Sequence, residues 1–254
     1  CQHSSERVED SMCVSVDVKG KADICESLDL YIKGESLDGT NQYFCSECNS
    51  KQDSIKSCCL KTLPNTLILH LKRFEFDLTT MRKNKINDRL SFPMELDMKP
   101  YTKEGIVLQE ENTRLPSLRP DAYYKYHLKG VLIHAGTADS GHYYSIAKER
   151  CEHDKKVTES AKPKMSWYMF NDSTVTTFDP AGLAEASFGG DVPYSAYLLF
   201  YEREFIDFVK EDAGGNDQAE DGTTGGEMNC SNLATDNNGS TEPAWRAPYD
   251  KLSN

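Results

Sequence analysis

His142 stands at the mouth of a strand. The segment Gly136-Thr137-Ala138-Asp139-Ser140-Gly141-His142-Tyr143-Tyr144-Ser145 reads as the end of one strand, a small polar turn and the start of the next, with Val131-Leu132-Ile133 leading into it. An imidazole titrates near neutral pH, so a histidine held at such a place can act as a general base. That chemistry needs a partner on the second ring nitrogen, to fix tautomer and orientation. Trp167-Tyr168-Met169-Phe170-Asn171-Asp172 brings two candidates to another strand end, Asn171 and Asp172, and residue type alone leaves both open. Gly141 removes a side chain beside the imidazole and lets another backbone approach. Taken singly, a histidine at a strand end is more often an ordinary surface or core residue, and Asn-Asp before Ser-Thr an ordinary turn.

The cysteines carry a second chemistry. There are nine, at positions 1, 13, 25, 45, 48, 58, 59, 151 and 230. An odd count with a Cys-x-x-Cys and an adjacent pair does not match a secreted disulfide framework. Reduced thiols in an intracellular setting, with one metal knuckle, fit better. Cys45-Ser46-Glu47-Cys48 places two sulfurs on one side of a tight turn with backbone amides toward them, which is half of a tetrahedral zinc site. The motif is open to redox use or coincidence as well, although a thioredoxin-type use needs a βαβ setting that is absent here. Cys1 is the first candidate for a third ligand, and its own Cys-x-x-Cys partner would precede the chain. His3, Cys13 and Cys25 are substitutes with poorer spacing.

The elements that must position these residues are mostly strands. Met12, Val14, Val16 and Val18 alternate with polar neighbours, and Asp23 to Gly34 shows helical spacing at Ile24, Leu28 and Ile32. Asn41 to Asn49 reads as a hairpin tip bearing the two thiols. Residues 51–75 are strand-rich, with Cys58 and Cys59 in a strand and Leu67 to Phe74 a buried one. Asp77 to Asp88 is polar and predicts a mobile loop; residues 99–121 predict a surface insertion. Tyr124 to Ile133 alternates as a strand. Asp179-Pro180 opens a short helix that Phe188-Gly189-Gly190 ends, and Ser195 to Glu202 is a last buried strand.

The formal net charge is −12, which argues against nucleic acid as a partner. The acidity is concentrated: residues 204–254 hold 11 Asp and Glu against 3 Lys and Arg. Residues 213–243 contain six Gly, six acids and no Lys or Arg, the composition of a disordered acidic tail or linker. No apolar run approaches the roughly 18 residues of a membrane span, so no membrane partner is expected. The expected division is therefore a folded unit over 1–203 and a tail over 204–254. A chain that opens on Cys1 rather than Met is expected to be a fragment or a processed product.

Read as whole strings, Ser-Gly-His-Tyr-Tyr-Ser followed by Trp-Tyr-x-Phe-Asn-Asp resembles the histidine box of the ubiquitin-specific proteases, the papain-like deubiquitinases. Lys-x-Leu-Pro-x-x-Leu-x-x-x-Leu-Lys-Arg-Phe, over residues 61–74, resembles another of that family's boxes. The resemblance spans about residues 1–203. It implies an α+β papain-like fold, with an antiparallel β palm and zinc-ribbon β fingers. It implies His142 as the base, Asn171 or Asp172 as its orienting partner, and Ser140, Gly141 and Tyr143 along the slot for the substrate's Gly-Gly tail. The loop of residues 77–88 would lie over that slot. Cys1, Cys45 and Cys48 would hold a structural Zn2+, and ubiquitin and ubiquitinated proteins would be the partners. One departure is large. The family's nucleophile box, an Asn-x-Gly-Asn-x-Cys-Tyr type of string at a helix start, is absent, and none of the nine cysteines has that setting. The thumb half is thus expected to be missing, and the chain alone to be inactive. The rival readings are a ubiquitin-binding scaffold without catalysis and a zinc-ribbon interaction module beside an unrelated β-domain.

Overall fold

Val14 and Val16, Leu67, Leu69 and Leu71, Val131 and Ile133, and Leu199 and Tyr201 occupy alternate positions along four segments, and all are buried. Side chains two apart on a strand share a face, so this pattern builds one sheet with a single apolar side. The computed structural model describes residues 3–110, 119–149 and 166–204. In chain order its elements are β1 (Val14–Asp17), α1 (Ile24–Ile32), β2 (Glu35–Leu37), β3 (Tyr43–Cys45), β4 (Ser50–Gln52), β5 (Ser54–Lys56), β6 (Thr66–Lys72), β7 (Phe74–Asp77), β8 (Arg82–Lys85) and β9 (Glu95–Asp97). Then follow α2 (Lys103–Glu110), β10 (Lys125–Gly136), β11 (Gly141–Lys148), β12 (Trp167–Asn171), β13 (Thr174–Phe178), α3 (Leu183–Ser187) and β14 (Tyr194–Arg203).

The class is α+β. An eight-stranded sheet runs in the order β1-β6-β14-β10-β11-β12-β13, with β9 paired to β10. The sheet is mixed rather than wholly antiparallel, because β1 joins β6 in parallel, Val14 beside Leu69 and Val16 beside Leu71. Its apolar side is covered by α1 and by the segments around Leu63, Leu90, Phe92, Met98, Tyr101 and Leu183. Helix α1 starts where Asp23 accepts the N–H of Glu26 at 2.9 Å, while Glu26 accepts the N–H of Ala22 at 3.0 Å. Ile24 and Leu28, one turn apart, carry its buried face.

Three further expectations need correction. Residues 77–88 do not form a loop throughout: β7 and β8 pair as an antiparallel hairpin, Phe74 opposite Lys85 and Asp77 opposite Arg82. Its turn is closed by Asp77, whose carboxylate accepts from the Thr79 N–H and the Thr80 hydroxyl, both at 2.8 Å. Cys58 and Cys59 lie beyond the end of β5, outside any strand. Residues 99–121 contain α2, and Tyr101 and Met98 at its approach belong to the core. Residues 149–165, whose charged and small composition predicts an exposed loop, fall almost wholly outside the described residues. So does the tail. The chain divides into units Cys1–Phe208 and Val209–Asn254, and the second lies entirely outside the description.

Arg73 ties the sheet to the loops around the site. It is 1% exposed, yet among the described residues it has no carboxylate partner in hydrogen-bonding position. Its guanidinium donates instead to carbonyls of Ala196 at 2.7 Å, Ile86 and Asp88 at 3.0 Å, and Phe188 at 3.3 Å. Burial lowers its pKa to about 10, so the group is still charged at neutral pH. One rigid fork thereby fixes β14, the segment after β8 and the end of α3.

Candidate active site

Strands β10 and β11 form a hairpin closed by Gly136 opposite Gly141. Gly136 has φ +124, and a Cβ there would lie 2.5 Å from the Ser140 carbonyl, so only glycine fits. The turn is held by the Thr137 N–H, which donates to Ser140 O at 2.8 Å. His142 is the second residue of β11 and sits opposite Ala135. Strand β12 lies on the other side of β11, with Ser145 opposite Phe170. This register carries Asn171, at the end of β12, alongside the start of β11. Asp172 follows in the turn to β13 with φ 51, a left-handed conformation that Asp tolerates better than most residues.

The predicted partners are therefore together. The His142 Nε2 N–H donates to Asn171 Oδ1 at 2.6 Å. Asp172 Oδ2 lies further off, 3.8 Å from the same nitrogen, and its side chain is 79% exposed. An amide oxygen can only accept, so this contact puts the proton on Nε2 and leaves a lone pair on Nδ1. His142 is itself open to solvent, with a side chain 46% exposed.

Ser140, Gly141 and Tyr143 line one cleft of about 480 Å³, together with Phe74 and Phe76 of the β7–β8 hairpin and His134 of β10. Phe76 and Tyr143 are about half exposed there. His142 does not line it, because alternation turns its side chain to the opposite face of β11 from Gly141 and Tyr143. Lys85 anchors the hairpin above the cleft, donating to carbonyls of His134 and Pro193 at 2.9 Å and of Gly136 at 3.2 Å.

Gly141 does permit a close approach, but the neighbour is a ring as well as a backbone. A Cβ at 141 would fall 2.1 Å from His134 Nε2 and 2.6 Å from the Ala135 carbonyl. His134, Phe74 and Lys85 were not singled out by residue type. The available signal was positional: a hairpin folded about residues 136–141 must set His134 opposite Tyr143.

The thiol pair occupies the turn between β3 and β4, with Cys45 buried and Cys48 exposed. The backbone N–H of Cys48 lowers the Cys45 pKa, with a further amide contribution from Glu47. Desolvation, then the neighbouring Cys45, raises that of Cys48. A thiol whose ionised form backbone amides favour, beside a second thiol, suits zinc. Cys1 lies outside the described residues, and among those described no group of three metal-capable side chains is assembled. Cys25 is packed against the core, where burial raises its pKa. No helix among the described residues is long and apolar enough to cross a membrane.

Comparison with known proteins places this geometry in context. A family model described as ubiquitin carboxyl-terminal hydrolase matches residues 33–201. Ubiquitin carboxyl-terminal hydrolase 34 of Homo sapiens is 35% identical over 227 residues, covering 80% of this chain and 6% of its own length. Ubiquitin carboxyl-terminal hydrolase 24 of Homo sapiens is 33% identical over 236 residues, covering 80% and 9%. Among solved structures, the SAGA DUB module Ubp8/Sgf11/Sus1/Sgf73 bound to monoubiquitin matches with TM-score 0.60 and 31% identity, over 82% of this chain and 38% of that one. The same yeast module bound to ubiquitin aldehyde matches with TM-score 0.56 and 32% identity, over 77% and 36%. The chain thus spans less than a tenth of these curated relatives and under two fifths of the solved chains.

Proposed function

The chain belongs to the ubiquitin carboxyl-terminal hydrolase family, and on that footing we propose that it is the palm and fingers part of a thiol-dependent deubiquitinase. The whole enzyme hydrolyses the peptide or isopeptide bond after the C-terminal glycine of ubiquitin. The observation that carries this reading is the 2.6 Å contact between His142 Nε2 and Asn171 Oδ1.

In the mechanism, the nucleophilic thiol comes from sequence outside this chain. The free lone pair on His142 Nδ1 takes the thiol proton, and the thiolate attacks the scissile carbonyl. Asn171 holds the ring in the tautomer that leaves Nδ1 unprotonated. The resulting imidazolium returns its proton to the departing amine as the C–N bond breaks. Water then hydrolyses the thioester, with His142 again as base. The ubiquitin tail lies in the cleft between the β7–β8 hairpin and the 137–140 turn, along Ser140 and Gly141, with Tyr143 and Phe74 offering apolar contact.

Cys45 and Cys48, with Cys1, would hold a structural zinc ion, whose role would be to cross-link their thiolates. Residues 1–203 are the folded part and 204–254 an acidic tail. Limited proteolysis that leaves a core ending near Arg203 supports that division, and protection of residues 213–243 contradicts it. The activity test compares this chain with a complete domain containing the upstream half. On a ubiquitin C-terminal amide substrate the chain alone is silent and the complete domain turns over. Turnover by the isolated chain, or none by the complete domain, contradicts the proposal.

A further inference from the structure

We propose that His134 is a positioning residue for the base, gripping from the opposite face of the sheet the two residues that flank His142. This inference rests on the reading of His142 as the base. Alternation places His142 on the same side of β11 as Tyr144 and Ile146, which pack on the core. Gly141 and Tyr143 face the other way. His134 comes to that other side from β10, directly opposite Tyr143.

Its ring touches both neighbours of the base. The centroid lies 4.7 Å from that of Tyr143. On the Gly141 side, the ring occupies the space a side chain would need, with Nε2 2.1 Å and Cε1 2.6 Å from where a Cβ would stand. Phe74 closes behind it edge-on, its centroid 5.1 Å away at 79°. The His134 backbone is pinned as well, its carbonyl accepting from Lys85 at 2.9 Å. The residue is 4% exposed, and its Nδ1 is buried without a hydrogen-bond partner among the described residues. An unpaired buried nitrogen is a cost, so no hydrogen bond at Nδ1 holds the ring in place. Its flat shape does. Burial, with Lys85 nearby, lowers its pKa and keeps it neutral.

A ring wedged between Gly141 and Tyr143 on one face fixes the direction in which His142 leaves the other. Small displacements of a catalytic group cost about 100-fold in rate, so such a grip bears on turnover. The test labels histidine nitrogens in the 254-residue chain and reads the tautomer of each ring by NMR. In the wild type His142 carries its proton on Nε2. In His134→Ala that bias is lost and both tautomers are populated, while His70, bonded to Ser15 at 3.0 Å elsewhere in the sheet, keeps its signal. His134→Phe, which retains a flat ring, keeps the bias. In the complete domain, kcat falls by about 100-fold in His134→Ala, beyond any change in KM from the cleft that His134 also lines, and the Phe variant recovers kcat. If the Ala variant does not fold, His134→Leu, which fills the volume without a flat ring, takes its place with the same outcomes. An unchanged His142 tautomer in the Ala or Leu variant overturns the proposal, as does a rise in KM at constant kcat. A wild-type His142 without the Nε2 bias overturns the site reading itself, and this inference with it.

Discussion

The Nε2 nitrogen of His142 lies 2.6 Å from Asn171 Oδ1 but 3.8 Å from Asp172 Oδ2, so the amide, not the carboxylate, is the orienting partner in this geometry. Residue type had left the choice open. The ranking that follows, measured as kcat/KM in the complete domain, is that Asn171→Ala is more damaging than Asp172→Ala. Neither should match loss of the base, because an amide orients the ring without stabilising imidazolium as a carboxylate would. The reverse order would identify Asp172 as the partner and require the two side chains to exchange places when the thiol is present.

Arg73 offers a test of the scaffold. Four carbonyls, from Ile86, Asp88, Phe188 and Ala196, share its guanidinium. Arg73→Met removes their donor in a buried place and should cost at least about 3 kcal/mol of stability. Urea unfolding of the chain measures it. A midpoint shift worth less than about 1 kcal/mol would show that water or rearrangement replaces the fork.

The two buried or half-buried histidines predict a pH dependence. Burial, with Lys85 near His134 and Lys72 near His70, lowers both pKa values. Unfolded histidine binds its proton near pH 6.5, the folded rings only at lower pH. In that window the unfolded chain holds more protons, so stability must fall as pH drops below about 6.5. His134→Phe, which cannot titrate, should flatten part of the slope. Urea midpoints at several pH values check this, and an identical slope in the variant would remove His134 from the account.

The thiols at Cys45 and Cys48 predict metal. Elemental analysis of the purified full-length domain should find about one zinc per chain, and Cys48→Ser should lower occupancy and loosen the β3–β4 turn. A folded, metal-free domain would leave these cysteines with a different role.

Much of this arrangement could be read from residue order. Alternation marked β1 and β10, dense apolar content marked β6 and β14, and the spacing of Ile24, Leu28 and Ile32 marked α1, because each signal is local. That His142 would meet Asn171 or Asp172 was legible because these residues lie at strand ends beside turns with strong composition; which of the two it meets was not. The β7–β8 hairpin was not, since its strands are four residues long and its second strand, Arg-Lys-Asn-Lys, is wholly polar. What stabilises it is distant: Lys85 on three carbonyls and Phe74 on His134. Helix α2 was hidden by Gly105 and by sparse apolar residues; the glycine is there because a Cβ would lie 1.8 Å from the Lys99 carbonyl. The parallel pairing of β1 with β6 joins residues 55 positions apart, and nothing in either segment encodes direction.

The central claim is that His142 is the base for a thiol supplied by the rest of the enzyme. The most direct measurement is kcat/KM on a ubiquitin C-terminal amide substrate for the complete domain and its His142→Ala variant, with fold and zinc content matched. The account predicts a loss of roughly three or more orders of magnitude, since the thiol then has no proton acceptor. Turnover within a few-fold of wild type would contradict it.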